Sequence, residues 1–207
     1  MGPDWLNTIV SCYELNDYKM ISSPVAYFEE KNFFEEMQTL EFLYLIGLGA
    51  STIGNKMPST CNGANLAYQK EVFLELKGFQ GIDDLASGDD ELLLHKVASR
   101  YPDGIGFCKS REAIVYTHAK PTLGEFMQQR KRWASKSTKY KNKSVVVLGI
   151  SLWTFNAFIL LNALLGFYDS AYWTLAGISL LCKFLVEMAF LIPMCQFAKR
   201  KGLLWYH

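Results

Sequence analysis

The chain has 207 residues and carries 21 Lys and Arg against 20 Asp and Glu, formally +1. That length holds one domain, or one domain plus an anchor, and excludes two large globular units, while the balanced charge excludes a general polyanion binder, so no nucleic-acid partner is expected. Five cysteines without C-x-x-C spacing exclude a disulfide framework and read as reduced thiols, which suits a cytoplasmic face.

Residues 1–120 alternate between helical and extended patterns. "MGPDWLNTIV" lacks the charged-then-apolar order of a signal peptide and reads as the inside of a domain. Pro3 ahead of "DWLNTIV" suits a helix start, and "KMISSPVAYF" holds a strand. A helix over 33–48 follows, introduced by Asn32 and with Glu36 in its first turn. Its apolar residues, among them Phe33, Phe34, Met37, Leu40, Phe42 and Ile46, cover more than one face, which fits a core helix or one at a membrane surface. "CNGANLAYQKEVFLELKGF" predicts an Asn-Gly turn, a strand from Leu66 to Tyr68 and a helix ending at Gly78 as a left-handed cap. "IGFC" and "AIVYT" predict two more strands. The alternation gives a soluble α/β domain over 1–120.

Residues 121–143 read as an amphipathic helix, with Leu123, Phe126 and Met127 on one side and a dense basic face. From Ser144 to Tyr168 there is no Asp, Glu, Lys or Arg, a run long enough to cross a hydrocarbon core of about 30 Å. After Asp169 and Ser170 a second apolar run carries only Lys183 and Glu187, four apart on one helix face. The two runs predict a transmembrane helical hairpin over 144–198, with a tail at 199–207. Lys136, Lys139, Lys141 and Lys143 precede it and Lys199, Arg200 and Lys201 follow, so both ends are expected on the cytoplasmic side of an integral membrane protein, in a bacterial cell at the inner membrane.

Two groups of residues carry the chemistry. Ser87, Gly88, Asp89 and Asp90 open the periodic run Leu92, Leu93, Leu94, Val97, an arrangement that caps a helix. Yet Asp83, Asp84, Asp89, Asp90 and Glu91 bring more negative charge than a cap requires, and crowded like charges favour proton uptake by one of them, as a general base needs. Gln129, Arg132 and Trp133 stand at i, i+3 and i+4 and share one helix side. They suit an anionic ligand and a sugar face, although on charge alone snorkelling toward lipid headgroups is the commoner use of such a basic helix. His118, in "YTHAKPT", fits either a metal or phosphate ligand or a hydrogen-bonded loop residue.

"GDDELL", then "QRKRW", then paired apolar spans together resemble the processive and membrane-bound family 2 glycosyltransferases, which include cellulose, chitin and hyaluronan synthases. The resemblance implies an α/β fold: the C-terminal part of a GT-A-like nucleotide-diphospho-sugar transferase domain, then an interfacial helix and the hairpin. It implies Asp89 and Asp90 as the acidic pair, with Asp90 the base toward the acceptor hydroxyl. Gln129, Arg132 and Trp133 match Q-x-x-R-W, which contacts the pyrophosphate and acceptor sugar. Cys61, Asn62 and Gly63 match the segment bordering the acceptor, an ordinary β-turn being the alternative for them. The implied partners are a nucleotide-sugar donor, a sugar or lipid-linked acceptor and the bilayer.

Mg2+ or Mn2+ is implied for the complete enzyme through a D-x-D pair. That pair has no counterpart in this chain, since Asp4 and Asp17 lack the spacing, so no metal ligand is named and a fragment of low activity is expected. Inverting sugar transfer is thus the expected function. A non-catalytic membrane-anchored binding or scaffold module competes with it, and Lys183 with Glu187 raises a weaker third option, a transport subunit.

Overall fold

The computed structural model describes residues 1–81, 88–135 and 143–206. Helix α1 (Trp5–Asn16) begins just after Pro3, as its sequence predicts. It is followed by β1 (Met20–Ser22) and β2 (Val25–Tyr27), so the single strand expected in "KMISSPVAYF" is two. Pro24 between them has no N–H to offer a ladder, and the chain changes sheet there. β1 runs antiparallel to β3 (Leu66–Tyr68) on one side and parallel to β4 (Ile105–Phe107) on the other, with Ile21 opposite Ala67 and Gly106. β2 pairs in parallel with β5 (Val115–Thr117), Ala26 opposite Tyr116. The domain is a mixed α/β unit with small sheets.

Asn65, only 2% exposed, bolts the two sheets together. Its side-chain amide donates to the carbonyls of Pro24 (2.8 Å) and Ala113 (2.7 Å), and its Oδ1 accepts from the Trp5 indole at 3.1 Å. Its own carbonyl accepts from the Ser23 N–H at 3.0 Å. Every polar atom of a buried amide is used here, the condition under which burying one is not costly.

The central element is α2 (Phe33–Gly54). Asn32 Oδ1 accepts from the Glu35 N–H at 3.0 Å, and Glu35 Oε2 accepts from the Lys31 N–H at 2.9 Å, a reciprocal cap that fixes where the helix starts. The helix continues past the expected 48 to Gly54, through small residues that dilute the apolar period. It is a core helix: Gln38, Leu40, Phe42, Leu43, Ile46 and Ile53 are buried. α3 (Lys70–Glu75) stops short of Gly78, and the left-handed turn that ends it uses both Lys77 and Gly78. α4 (Asp89–Arg100) buries Leu92, Leu93, Leu94 and Val97 against Met20, Ile53, Val72 and Ile105.

The chain divides into two units, Met1–Lys139 with Met194–His207, and Tyr140–Pro193. The first also contains α5 (Leu123–Ser135). The second contains α6 (Lys143–Leu165) and most of α7 (Ala171–Phe197). Among the described residues α7, 27 residues long, is apolar enough to cross a membrane. Its two charges neutralise each other, with Lys183 Nζ 2.6 Å from Glu187 Oε1.

The division falls at Pro193, whose ring interrupts the α7 hydrogen-bond ladder. Beyond it the tail is anchored within the first unit. Arg111 donates to the carbonyls of Phe197 (2.7 Å) and Gln196 (3.0 Å), Leu203 is buried, and Arg200 pairs with Glu30 at 3.1 Å. Burial works against the charge of Glu30, but hydrogen bonds from the Thr39 hydroxyl, its own backbone and Arg200 outweigh burial and hold the carboxyl below its ordinary range. All five cysteines are free thiols. Burial, and then the neighbouring Cys108, push the Cys12 thiol up to about 11.

Candidate functional site

The acidic pair stands at the mouth of α4. Gly88 precedes the helix with φ of 101°, a conformation that side-chain-bearing residues rarely adopt, and as the N-cap residue it offers no side-chain cap. Ser87, the expected cap, lies outside the described residues, as do Asp83 and Asp84. The three acids that follow Gly88 face different surroundings: Asp89 is exposed, Asp90 half-buried and Glu91 buried.

Asp90 is held at both oxygens. Its Oδ2 accepts from the Gly63 N–H at 2.8 Å and its Oδ1 from the Glu91 N–H at 2.9 Å. A Cβ on residue 63 would lie 3.1 Å from Asp90 Oδ2 and 3.2 Å from its Cβ, so any side chain there would press on the Asp90 carboxylate. Asn62 shapes the turn by accepting from the Ala64 N–H at 2.9 Å, and the turn closes as a 3-10 segment, Gly63–Asn65. Cys61 packs, half-buried, on the α4 core. Asp90 and the Asn62–Gly63 turn, 27 residues apart in sequence, are therefore one structural element.

The second group lies on α5, which is laid along the first half of α2. Gln38 and Lys120 exchange two hydrogen bonds (2.8 and 3.0 Å), Phe34 meets Phe126, and Trp133 stacks on Phe42 at 6.3 Å between centroids. Arg130 locks the seat. Its guanidinium, 18% exposed, pairs with Glu41 at 2.5 Å and lies 4.3 Å from the Trp133 ring and 4.4 Å from the Phe126 ring. Such cation–π contacts strengthen as the site loses water.

Trp133 and Gln129 are half-buried, whereas Arg132 is exposed. Among the described residues the enclosed Oε1 of Gln129, Nε and Nη1 of Arg130 and the hydroxyl of Tyr27 find no hydrogen-bond partner. Burial pushes the Tyr27 phenol up, with the Arg130 charge and the Gln129 amide opposing it. His118 is exposed and stacks on Phe28, 4.4 Å between centroids.

α2 connects the two groups. Phe42, Ile46, Gly49 and Ile53 follow one another at i, i+4, i+7 and i+11, and so line one face. Phe42 carries Trp133, and Ile53 belongs to the core under α4. Gly49 lies so close to the Thr60 carbonyl that a Cβ there would be 3.1 Å from it. Seven residues at about 1.5 Å each separate Phe42 from Gly49, about 10 Å along the helix. Phe107, at the end of β4, packs on both the Phe42 and the Ile53 clusters.

Sequence reasoning missed Arg130, which hides in the variable part of Q-x-x-R-W, and the anchoring roles of Glu41, Thr60 and Asn65. Their signals are tertiary, and for Arg130 only the spacing to Phe126 and Trp133, i−4 and i+3, was visible. Among the described residues no three His, Cys, Asp or Glu side chains converge on a point that would hold a metal ion.

A family model described as glycosyl transferase family group 2 matches residues 1–197. The chain belongs to that family. Comparison with curated proteins and with solved structures returned no match. As a glycosyltransferase-family chain it is assigned sugar transfer in general terms, with a nucleotide-sugar donor and an acceptor as the partners that activity implies.

Proposed function

We propose that this glycosyltransferase moves a sugar, with inversion, from a nucleotide-sugar to an acceptor hydroxyl at the cytoplasmic face of a membrane, on a GT-A-like domain. The observation that carries the reading is the docking of Asp90 on the Gly63 amide. It fixes the carboxylate while leaving it half-exposed at the entrance to α4. Asp90 takes the proton from the acceptor hydroxyl as the oxygen attacks the anomeric carbon, and the bond to the nucleoside diphosphate breaks on the opposite face, which inverts the centre. Asp89 adds charge beside it.

Arg132, with Gln129, stabilises the departing diphosphate. Trp133, held by Phe42 and Arg130, stacks the acceptor sugar, and Cys61, Asn62 and Gly63 border it. Mg2+ or Mn2+ belongs to this reading as a cofactor whose ligands are not among the described residues. α6 and α7 form a membrane hairpin with the basic segments on the cytoplasmic side, where nucleotide-sugars are found.

The test is Asp90→Asn in membranes supplied with labelled UDP-glucose, UDP-N-acetylglucosamine and GDP-mannose. Loss of a general base should lower transfer at least about a hundredfold with melting unchanged. Turnover retained by the variant would remove Asp90 as the base, and turnover absent from the unaltered chain with every donor would favour a non-catalytic membrane-anchored binding module.

A further inference from the structure

The acidic turn contains a third carboxylate with a different environment. Glu91 is 3% exposed, although first-turn acids that only answer the helix dipole stay at the surface. A buried carboxylate is costly unless it is hydrogen-bonded. Glu91 Oε1 accepts from the Thr60 hydroxyl. One turn further along α4, His95 Nε2 lies 3.1 Å from the Ser59 carbonyl, and since a carbonyl only accepts, Nε2 carries the proton. Ser59 is gripped from the other side as well, by the Thr52 hydroxyl of α2 at 3.1 Å. Beneath Thr60 the chain rests on Gly49. Segment 59–63 is thus fastened at Ser59 and Thr60, and its free-standing end is the Gly63 amide that docks Asp90.

We propose that Glu91 is a positioning residue for the transfer reaction. Acting through Thr60, and supported by His95 on Ser59, it sets the height of segment 59–63 against α4 and so fixes where the Gly63 N–H places the Asp90 carboxylate. This rests on the reading of Asp90 as the base. Glu91 itself faces inward and touches no substrate. Its effect is on geometry, and a displacement of about 1 Å at a reacting group is enough to slow a reaction severely.

The experiment uses the full chain in membranes, with whichever of the three nucleotide-sugars supports turnover, and the variants Thr60→Val, Thr60→Ser, Glu91→Gln and Asp90→Asn. Thr60→Val keeps shape and loses the hydroxyl. It should lower kcat about tenfold and leave acceptor KM within about twofold, while Thr60→Ser restores kcat to within about twofold. Glu91→Gln, which still accepts through its amide oxygen, should fall between them. Amide hydrogen exchange supplies a readout that does not require turnover: in Thr60→Val, exchange over 59–66 should rise about tenfold while 92–97 stays protected.

A folded Thr60→Val chain with unchanged kcat and unchanged protection would overturn the proposal. So would a uniform loss of protection that includes 92–97, which would make Glu91 a stability residue alone. Transfer retained by Asp90→Asn would sink the base assignment instead, whatever Thr60→Val does to exchange. Loss with Asp90→Asn beside a normal Thr60→Val would sink only the positioning role.

Discussion

At the α4 end of α2 the contacts are short, polar and directional: Gly63 to Asp90, Thr60 to Glu91, Ser59 to His95. At the α5 end they are broad and aromatic, with Trp133 against Phe42 and Arg130 between Trp133 and Phe126. The difference matches the two tasks proposed for these ends. A group that exchanges a proton works only within a few tenths of an ångström of its target, so it is fixed by hydrogen bonds. A platform for stacking works over a wide contact area and tolerates small slides, so packing is sufficient. One helix presents both, which is how a single element serves two standards of accuracy.

The sharpest way to break that comparison is at Gly63. Gly63→Ala pushes a methyl group onto Asp90 and should cut transfer about a hundredfold with little change in acceptor KM, measured by steady-state kinetics. A mild effect there would mean the polar end tolerates slides too. At the other end Trp133→Ala should raise acceptor KM about tenfold and spare donor hydrolysis, because a stacking surface is lost but the base is not. Equal loss of both activities would reduce Trp133 to packing.

Glu41→Gln removes a partly exposed ion pair and should weaken the seat of Arg130 by only about 0.5 kcal/mol, a two- to threefold change in acceptor KM. The smallest effect lies in the tail. Glu30 has its carboxyl held low in the folded chain, so its share of stability is present above the ordinary carboxylate range and fades as the pH falls through the lower, folded value. Protection from exchange over 201–206, taken relative to the unstructured rate at each pH, should therefore be flat between pH 6 and 8 and fall only in acid, and Arg200→Gln should flatten that acid fall.

Much of this was legible because it is local. Asn32 with Glu35 announces the start of α2, Pro3 that of α1, and Asn62–Gly63 the turn before β3. The family match agrees with the resemblance as far as glycosyltransferase family 2. What stayed hidden depends on chain segments far apart. Nothing near Glu91 says that it turns inward to Thr60, and nothing near Arg130 says that Glu41 waits 89 residues upstream. The split of β1 from β2 required weighing Pro24 against an otherwise continuous β pattern. Helix ends misled where small residues continue a helix, as at Gly49, or where the left-handed turn begins one residue early, as at Lys77.

The stripe Phe42, Ile46, Gly49, Ile53 also makes α2 intolerant of changes in length. A single residue inserted between Phe42 and Gly49 would swing everything downstream by about 100° and advance it by about 1.5 Å. Thr60 would then meet a bulky side chain in place of Gly49, and the two halves of the proposed site would fall out of phase with every one of their residues still present.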